Sequence, residues 1–189
     1  MGWDCAMRVA RWFVVLLPLF LAACAHGRPA TYLVEQPGPY GLDSGDSVRV
    51  TVFGEPDLTN TYRVDDSGAI AMPLIGTVPA RGSTTGMLAS SITGALANGF
   101  MRSPNVAVEV AEYRPYFIQG AVRNAGQFSY SYGMTVRAAI SAAGGHTETA
   151  NRNNAVLYRR QGAEMVKGTV GLDFPILPGD TVVISERWL

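Results

Sequence analysis

An α+β fold is expected for this chain of 189 residues, with a small mixed-sheet domain followed by a second α+β unit. Three observations predict it. Short segments alternate apolar and polar residues, as in Ser47-Val48-Arg49-Val50-Thr51-Val52-Phe53, which is the period of a half-buried strand. Two longer stretches space apolar residues three and four apart, the mark of a one-sided helix. Finally, 21 Gly and 11 Pro suit many short strands and turns better than long helices. A hydrophobic share of 48% is enough to build a core, and 15 basic residues balance 15 acidic ones. That balance argues against a nucleic-acid binder, which needs a basic face.

Residues 1–23 read as an address. Arg8 and Arg11 supply a positive start, and 12–21 are apolar but too short to span a membrane, which takes about 20 such residues. Met7 is an alternative start. Leu21-Ala22-Ala23-Cys24 reads as a lipobox: small residues fit a signal peptidase cleft, and the Cys24 thiol accepts the diacylglyceryl group. Cys24 is therefore the expected lipid attachment site. Cleavage before it leaves no second cysteine, so no intrachain disulfide is expected. Ala25 is not the aspartate that holds lipoproteins in the inner membrane, so the outer membrane, on its periplasmic face, is the expected location. Residues 24–39 carry several Gly and Pro and read as a lipidated linker.

The first unit spans 40–113. A turn at 40–46 leads into a strand whose Val48, Val50 and Val52 share one face. Asp65-Asp66-Ser67-Gly68 is dense in turn formers and predicts a hairpin between 61–64 and 69–72. Pro73-Leu74-Ile75-Gly76 then bends the chain. A helix is expected over 83–101, capped by Ser83 or Thr84, with Leu88, Ile92 and Leu96 inward and Asn98-Gly99 near its end. The strand at 105–110 would lay its valines over that helix.

The second unit spans 114–189. Strands are expected at 115–122, 127–131, 155–160 and in 177–185, with a helix capped by Thr135, carrying Val136, Ala139, Ile140 and Ala143, and stopped by Gly144-Gly145. The order ββαββ suggests a β-grasp. A weak internal repeat relates Leu42-Asp43-Ser44-Gly45-Asp46 to Leu177-Pro178-Gly179-Asp180. Asp46 and Asp180 read as structural acceptors in the turn before a strand.

The residues Arg63-Val64-Asp65, Gly68, Ile70, Pro73-Leu74-Ile75-Gly76, Val78 and Gly82 resemble the polysaccharide export domain of Wza-type outer-membrane lipoproteins. Gly82-Ser83-Thr84 stands where that family has Gly-Thr, and Ser44 where it commonly has Pro. The second unit resembles the soluble-ligand-binding β-grasp (SLBB) domain that follows it, through Gly120, Val122, Gly126, Thr135-Val136, Ala143-Gly144-Gly145 and Pro178-Gly179-Asp180. Ala121 and Ala125 replace the Glu and Pro common there. The resemblance implies a homo-oligomeric ring for polysaccharide passage, working with an inner-membrane polysaccharide co-polymerase and its kinase. Longer members continue into a C-terminal amphipathic helix that crosses the outer membrane. Only four residues follow the last strand expected here, about 6 Å of helix against roughly 30 Å of hydrocarbon. A separate outer-membrane β-barrel is therefore the expected pore, and no channels are expected from this chain alone in planar bilayers.

No catalytic set is visible, and no cofactor or metal is expected. His26 lies in the linker and His146 follows a helix stop, which is no metal-site spacing and places no catalytic base. Asp65 and Asp66 are adjacent in a turn and would point apart, unlike a glycosidase pair. Glu109 and Glu112 flank the end of a strand. Tyr113, Tyr116, Tyr130, Tyr132 and Tyr158 have faces that stack on sugars, although packing is their plainer role. A transport subunit is the leading reading. The alternatives are a lipid-anchored β-grasp module that binds a glycan or small ligand without transport, and a polysaccharide-cleaving enzyme.

Overall fold

The computed structural model describes residues 38–187. The expected signal peptide, Cys24, His26 and most of the expected linker lie outside them. The described body carries two hydrophobic cores that share no residue.

The first core is covered by β1 (Ser47–Val52), β2 (Asn60–Arg63), β3 (Ala69–Met72), β4 (Gly76–Pro79), α1 (Thr85–Ala97) and β5 (Val106–Glu112). β1 is the centre of a sheet ordered β2-β1-β5, and β3 pairs with β4 alone. Every ladder here is antiparallel. The parallel–antiparallel mixture lies instead in the second unit's sheet. Alternation in β1 buries Val48, Val50 and Val52 and leaves Arg49 exposed. Leu88, Ile92 and Leu96 line up one turn apart on α1 and are fully buried. Thr84 is the N-cap, its hydroxyl accepting from the Met87 N–H, and Asn98 ends the helix. The half-buried Val106, Val108 and Val110 of β5 pack on the same core.

The expected hairpin between 61–64 and 69–72 does not form. Its turn does: the Gly68 N–H donates to the Asp65 carbonyl at 2.9 Å, and the Asp65 carboxylate accepts from the Ala69 N–H. The flanking strands, however, belong to different sheets. β2 spends its ladder bonds on β1, from Ser47↔Arg63 to Val50↔Asn60, and Val64 exchanges bonds with Gly45 and Asp46. The true hairpin is β3–β4, closed by Pro73, Leu74 and Ile75 with Met72 opposite Gly76. Leu74 takes a left-handed φ of 69°, unusual for a residue with a branched side chain.

The second core is formed by β6 (Tyr116–Gly120), β7 (Gly126–Phe128), α2 (Val136–Ala142), β8 (Asn154–Gln161), β9 (Glu164–Gly171) and β10 (Thr181–Ile184). The sheet order is β7-β6-β10-β8-β9. The first and last strands, β6 and β10, run parallel at its centre, the β-grasp arrangement. Thr135 caps α2. The sequence order is ββαβββ, one strand (β9) more than the expected ββαββ. Its apolar alternation is broken by Gly168, which is buried against the core beside Val170, and a glycine depresses any strand reading. β8 and β9 join through the two residues Gly162 and Ala163, with Gln161 opposite Glu164.

Candidate functional site

The internal repeat holds down to single hydrogen bonds. In the first turn, the Asp46 N–H donates to the Asp43 carbonyl at 3.1 Å, and the Asp46 carboxylate accepts the Asp43 N–H at 2.9 Å. In the second, the Asp180 N–H donates to the Leu177 carbonyl at 3.1 Å, and its carboxylate accepts the Leu177 N–H at 2.7 Å. Both carboxylates are buried. A buried charge is tolerated only when paired and hydrogen-bonded, and each has its arginine. Asp180 receives Nε and Nη2 of Arg159 at 3.0 and 2.8 Å, and that guanidinium is itself buried. Asp46 receives the backbone N–H of Arg114 at 2.9 Å and its Nη1 at 3.3 Å.

Arg114 also joins the two units. Its side chain runs from Asp46 towards the second turn, where Gly179 has φ of 84° and a Cβ would sit 2.7 Å from Arg114 Nε. The Gly179 N–H donates to the Pro115 carbonyl. An aromatic ladder runs alongside: Tyr40 meets Tyr113 edge-on at 5.1 Å, and Tyr113 meets Tyr130 at 5.3 Å. The Tyr40 hydroxyl donates to Asp46 at 2.6 Å. Burial, and then that hydrogen bond to a carboxylate, push the Tyr40 phenol far above its ordinary range, so it remains a donor. Burial likewise raises Tyr113 and Tyr130.

Between the repeated turns lies a groove of about 770 Å³, floored by Arg114, Arg159 and Asp180 and edged by Arg81, Arg160 and Met165. That volume falls in the range of small-ligand sites, which favour junctions of this kind. Arg81 is held flat. Its Nε donates to Asp43 at 3.1 Å, while Nη2 donates to Ser44 Oγ and the Asp66 carbonyl. It lies against Gly68, where φ is 86° and a Cβ would meet the Arg81 side chain at 2.7 Å. Arg160, one residue beyond the buried Arg159, points to the other face of β8 and is exposed. The groove thus offers guanidinium donors and a few apolar surfaces. Such a set binds and orients anions or polar chains, and lacks a general acid–base pair.

The side chains singled out in the sequence are scattered. Tyr116 and Tyr130 are buried, and Tyr132 is 78% exposed. Tyr113 and Tyr158 are half-buried. Lys167 sits over the Tyr158 ring at 5.4 Å. Asp65 is occupied by Ser67 and Ala69, whose hydrogen bonds hold its carboxyl below the usual range. Glu109 faces Arg49 at 3.9 Å on the surface. His146 Nδ1 is buried. Among the described residues no three His, Cys, Asp or Glu side chains group to hold a metal, and no helix is long and apolar enough to cross a membrane. The groove arginines are not among the residues the sequence singles out. A signal was present for Arg159, which continues the inward row Ala155, Leu157 of β8 and so required a buried acid. Nothing in the sequence pointed to Arg81 or Arg114.

Residues 34–111 match the family described as polysaccharide biosynthesis/export protein, and residues 115–168 match the SLBB domain. The two matches meet at Arg114. The chain is 34% identical over 90 residues to the exopolysaccharide production protein ExoF of Rhizobium meliloti, covering 47% of this chain and 21% of that protein. It is 25% identical over 162 residues to the polysialic acid transport protein KpsD of Escherichia coli, covering 78% of this chain and 28% of that one. The chain thus spans roughly a quarter of the length of these curated relatives. With the export match ending and the SLBB match beginning either side of the arginine that joins its two cores, this chain belongs to the polysaccharide export family.

Proposed function

We propose that this chain is a lipid-anchored subunit on the periplasmic face of the outer membrane, assembled into a homo-oligomeric ring for the passage of a capsular or extracellular polysaccharide. The observation that carries the reading is the coupling of an export unit to an SLBB unit through a part-buried ion pair and an aromatic ladder. A protomer that is stiff across its two units suits a closed ring, in which every copy must repeat one geometry. The names of both relatives concern making or moving a polysaccharide, and we carry that role to this chain. Domain limits of 40–113 and 114–189 are part of the reading, as is lipid attachment at Cys24. The work is transport rather than bond chemistry. The ring would act with an inner-membrane polysaccharide co-polymerase and its kinase, and with a separate outer-membrane β-barrel.

The groove favours a second reading, a lipid-anchored module that binds a glycan without transporting it. Deletion of the gene separates the two. Export predicts that polymer disappears from the cell surface and medium, and returns with the wild-type gene but poorly with Cys24→Ser, which should be unprocessed or mislocalised. Unchanged secretion in the deletion strain would rule the export reading out.

A further inference from the structure

We propose that the groove between the repeated turns is a subsite for an acidic glycan, whose carboxylates pair with Arg160 and Arg81 while a sugar face lies on Met165. The proposal rests on the reading that this chain handles polysaccharide, and adds the charge class of the polymer and the place where it is held.

Four arginines line the groove, Arg81, Arg114, Arg159 and Arg160, against two aspartates, Asp43 and Asp180. Two of the arginines are neutralised at the floor: Arg159 by Asp180, and Arg114 by the buried Asp46 behind the groove wall. What remains accessible is Arg81, Arg160 and Asp43. Asp43 already accepts from Arg81 and from its own turn, through the Ser44 N–H. Arg160 forms no ion pair or side-chain hydrogen bond among the described residues. An exposed arginine on a strand needs no explanation by itself; this one lies on the rim of a concave, glycine-walled site.

Arg81 is prepared differently. Its Nε and Nη2 are fixed by Asp43, Ser44 and Asp66, and Nη1 has no hydrogen-bond partner among the described residues. A guanidinium whose plane is already set loses little freedom when its remaining N–H groups take a carboxylate. Ordering costs are what weak glycan sites must minimise.

The apolar part comes from the same hairpin. Met165 stands opposite Arg160 across the β8–β9 ladder and is 59% exposed, although it lies outside both cores. An adaptable thioether beside an arginine suits a pyranose, with C–H groups on one face and a carboxylate at its edge. Neutral sugars would gain the Met165 contact but not the charge pairs.

The test uses the full chain and two oligosaccharides of equal length: oligogalacturonate, with a carboxylate on every residue, and its methyl ester. Titration calorimetry should show binding of the acid, weakening as salt rises, and at least about tenfold weaker binding of the ester, the scale of one lost charge-assisted contact. Arg160→Glu should weaken the acid similarly. Met165→Ser should weaken both oligosaccharides. Arg160 and Met165 are exposed, so these variants should fold, with melting temperatures that confirm it. Equal affinity for acid and ester, or no binding of either, would overturn the subsite. Because secretion in the deletion strain is scored independently, that outcome would leave the export reading standing, and lost export with intact oligogalacturonate binding would leave the subsite standing.

Discussion

Asp180 and Arg159 bury opposite charges at 5% side-chain exposure or less, so each is safe only while the other is present. Asp180→Ala should destabilise the second unit by roughly 3–5 kcal/mol, because it leaves a desolvated guanidinium without its carboxylate. Pairing it with Arg159→Met should recover most of the loss. Urea denaturation of the wild type and both variants measures this, and a double variant no better than Asp180→Ala would contradict it. His146 behaves in the same sense as a salt-bridged acid, and in the opposite sense to a histidine paired with a carboxylate. Burial first, and Arg152 second, lower its pKa from 6.5, so the unfolded chain takes a proton that the folded protein resists. The His146 contribution is therefore fully present above pH 6.5 and is lost as pH falls through that value towards the folded pKa. The melting temperature of the wild type should drop more than that of His146→Gln between about pH 7.5 and about pH 5.5. Parallel curves would show that the imidazole does not titrate differently in the two states.

Among the elements, helices and central strands were the most legible in the sequence, because packing followed period. Val48, Val50 and Val52 face one way in β1, and Leu88, Ile92 and Leu96 lie on one stripe of α1, as their spacing required. Thr84→Ala should cost about 1 kcal/mol through the lost cap, measured as a shift in the denaturation midpoint of the first unit. Strand partners were not legible. The turn at 65–68 is real, but the sequence around it does not tell that β2's hydrogen bonds are already committed to β1, 10 or more residues upstream in the register Val50↔Asn60. β9 was hidden for a different reason: Gly168 supplies a buried position without supplying apolar surface. Gly68 ties this level to the groove. Gly68→Ala places a methyl against Arg81 at a φ of 86°, and should both destabilise the turn and disorder Arg81. The fold of the unit should survive, with an intact circular dichroism spectrum and a lower melting temperature. Wild-type stability would show that Arg81 can move aside freely.

For the molecule as a whole, the repeat Leu42–Asp46 and Leu177–Asp180 was visible as letters, yet its meaning was not. Two acid turns at the entrances of β1 and β10 come together around Arg114, and the groove exists because they do. No local pattern announces a contact such as Asp46 to Arg114, which is 68 positions apart. A closed ring would repeat this junction in every copy. The most direct measurement is electron microscopy of the full chain extracted from membranes, viewed end-on. The expected result is closed rings of one subunit number with a central opening, and rings that scatter in size or fall apart in Arg114→Ala. Wild-type particles that are uniformly monomeric at concentrations well above those in the cell would contradict it.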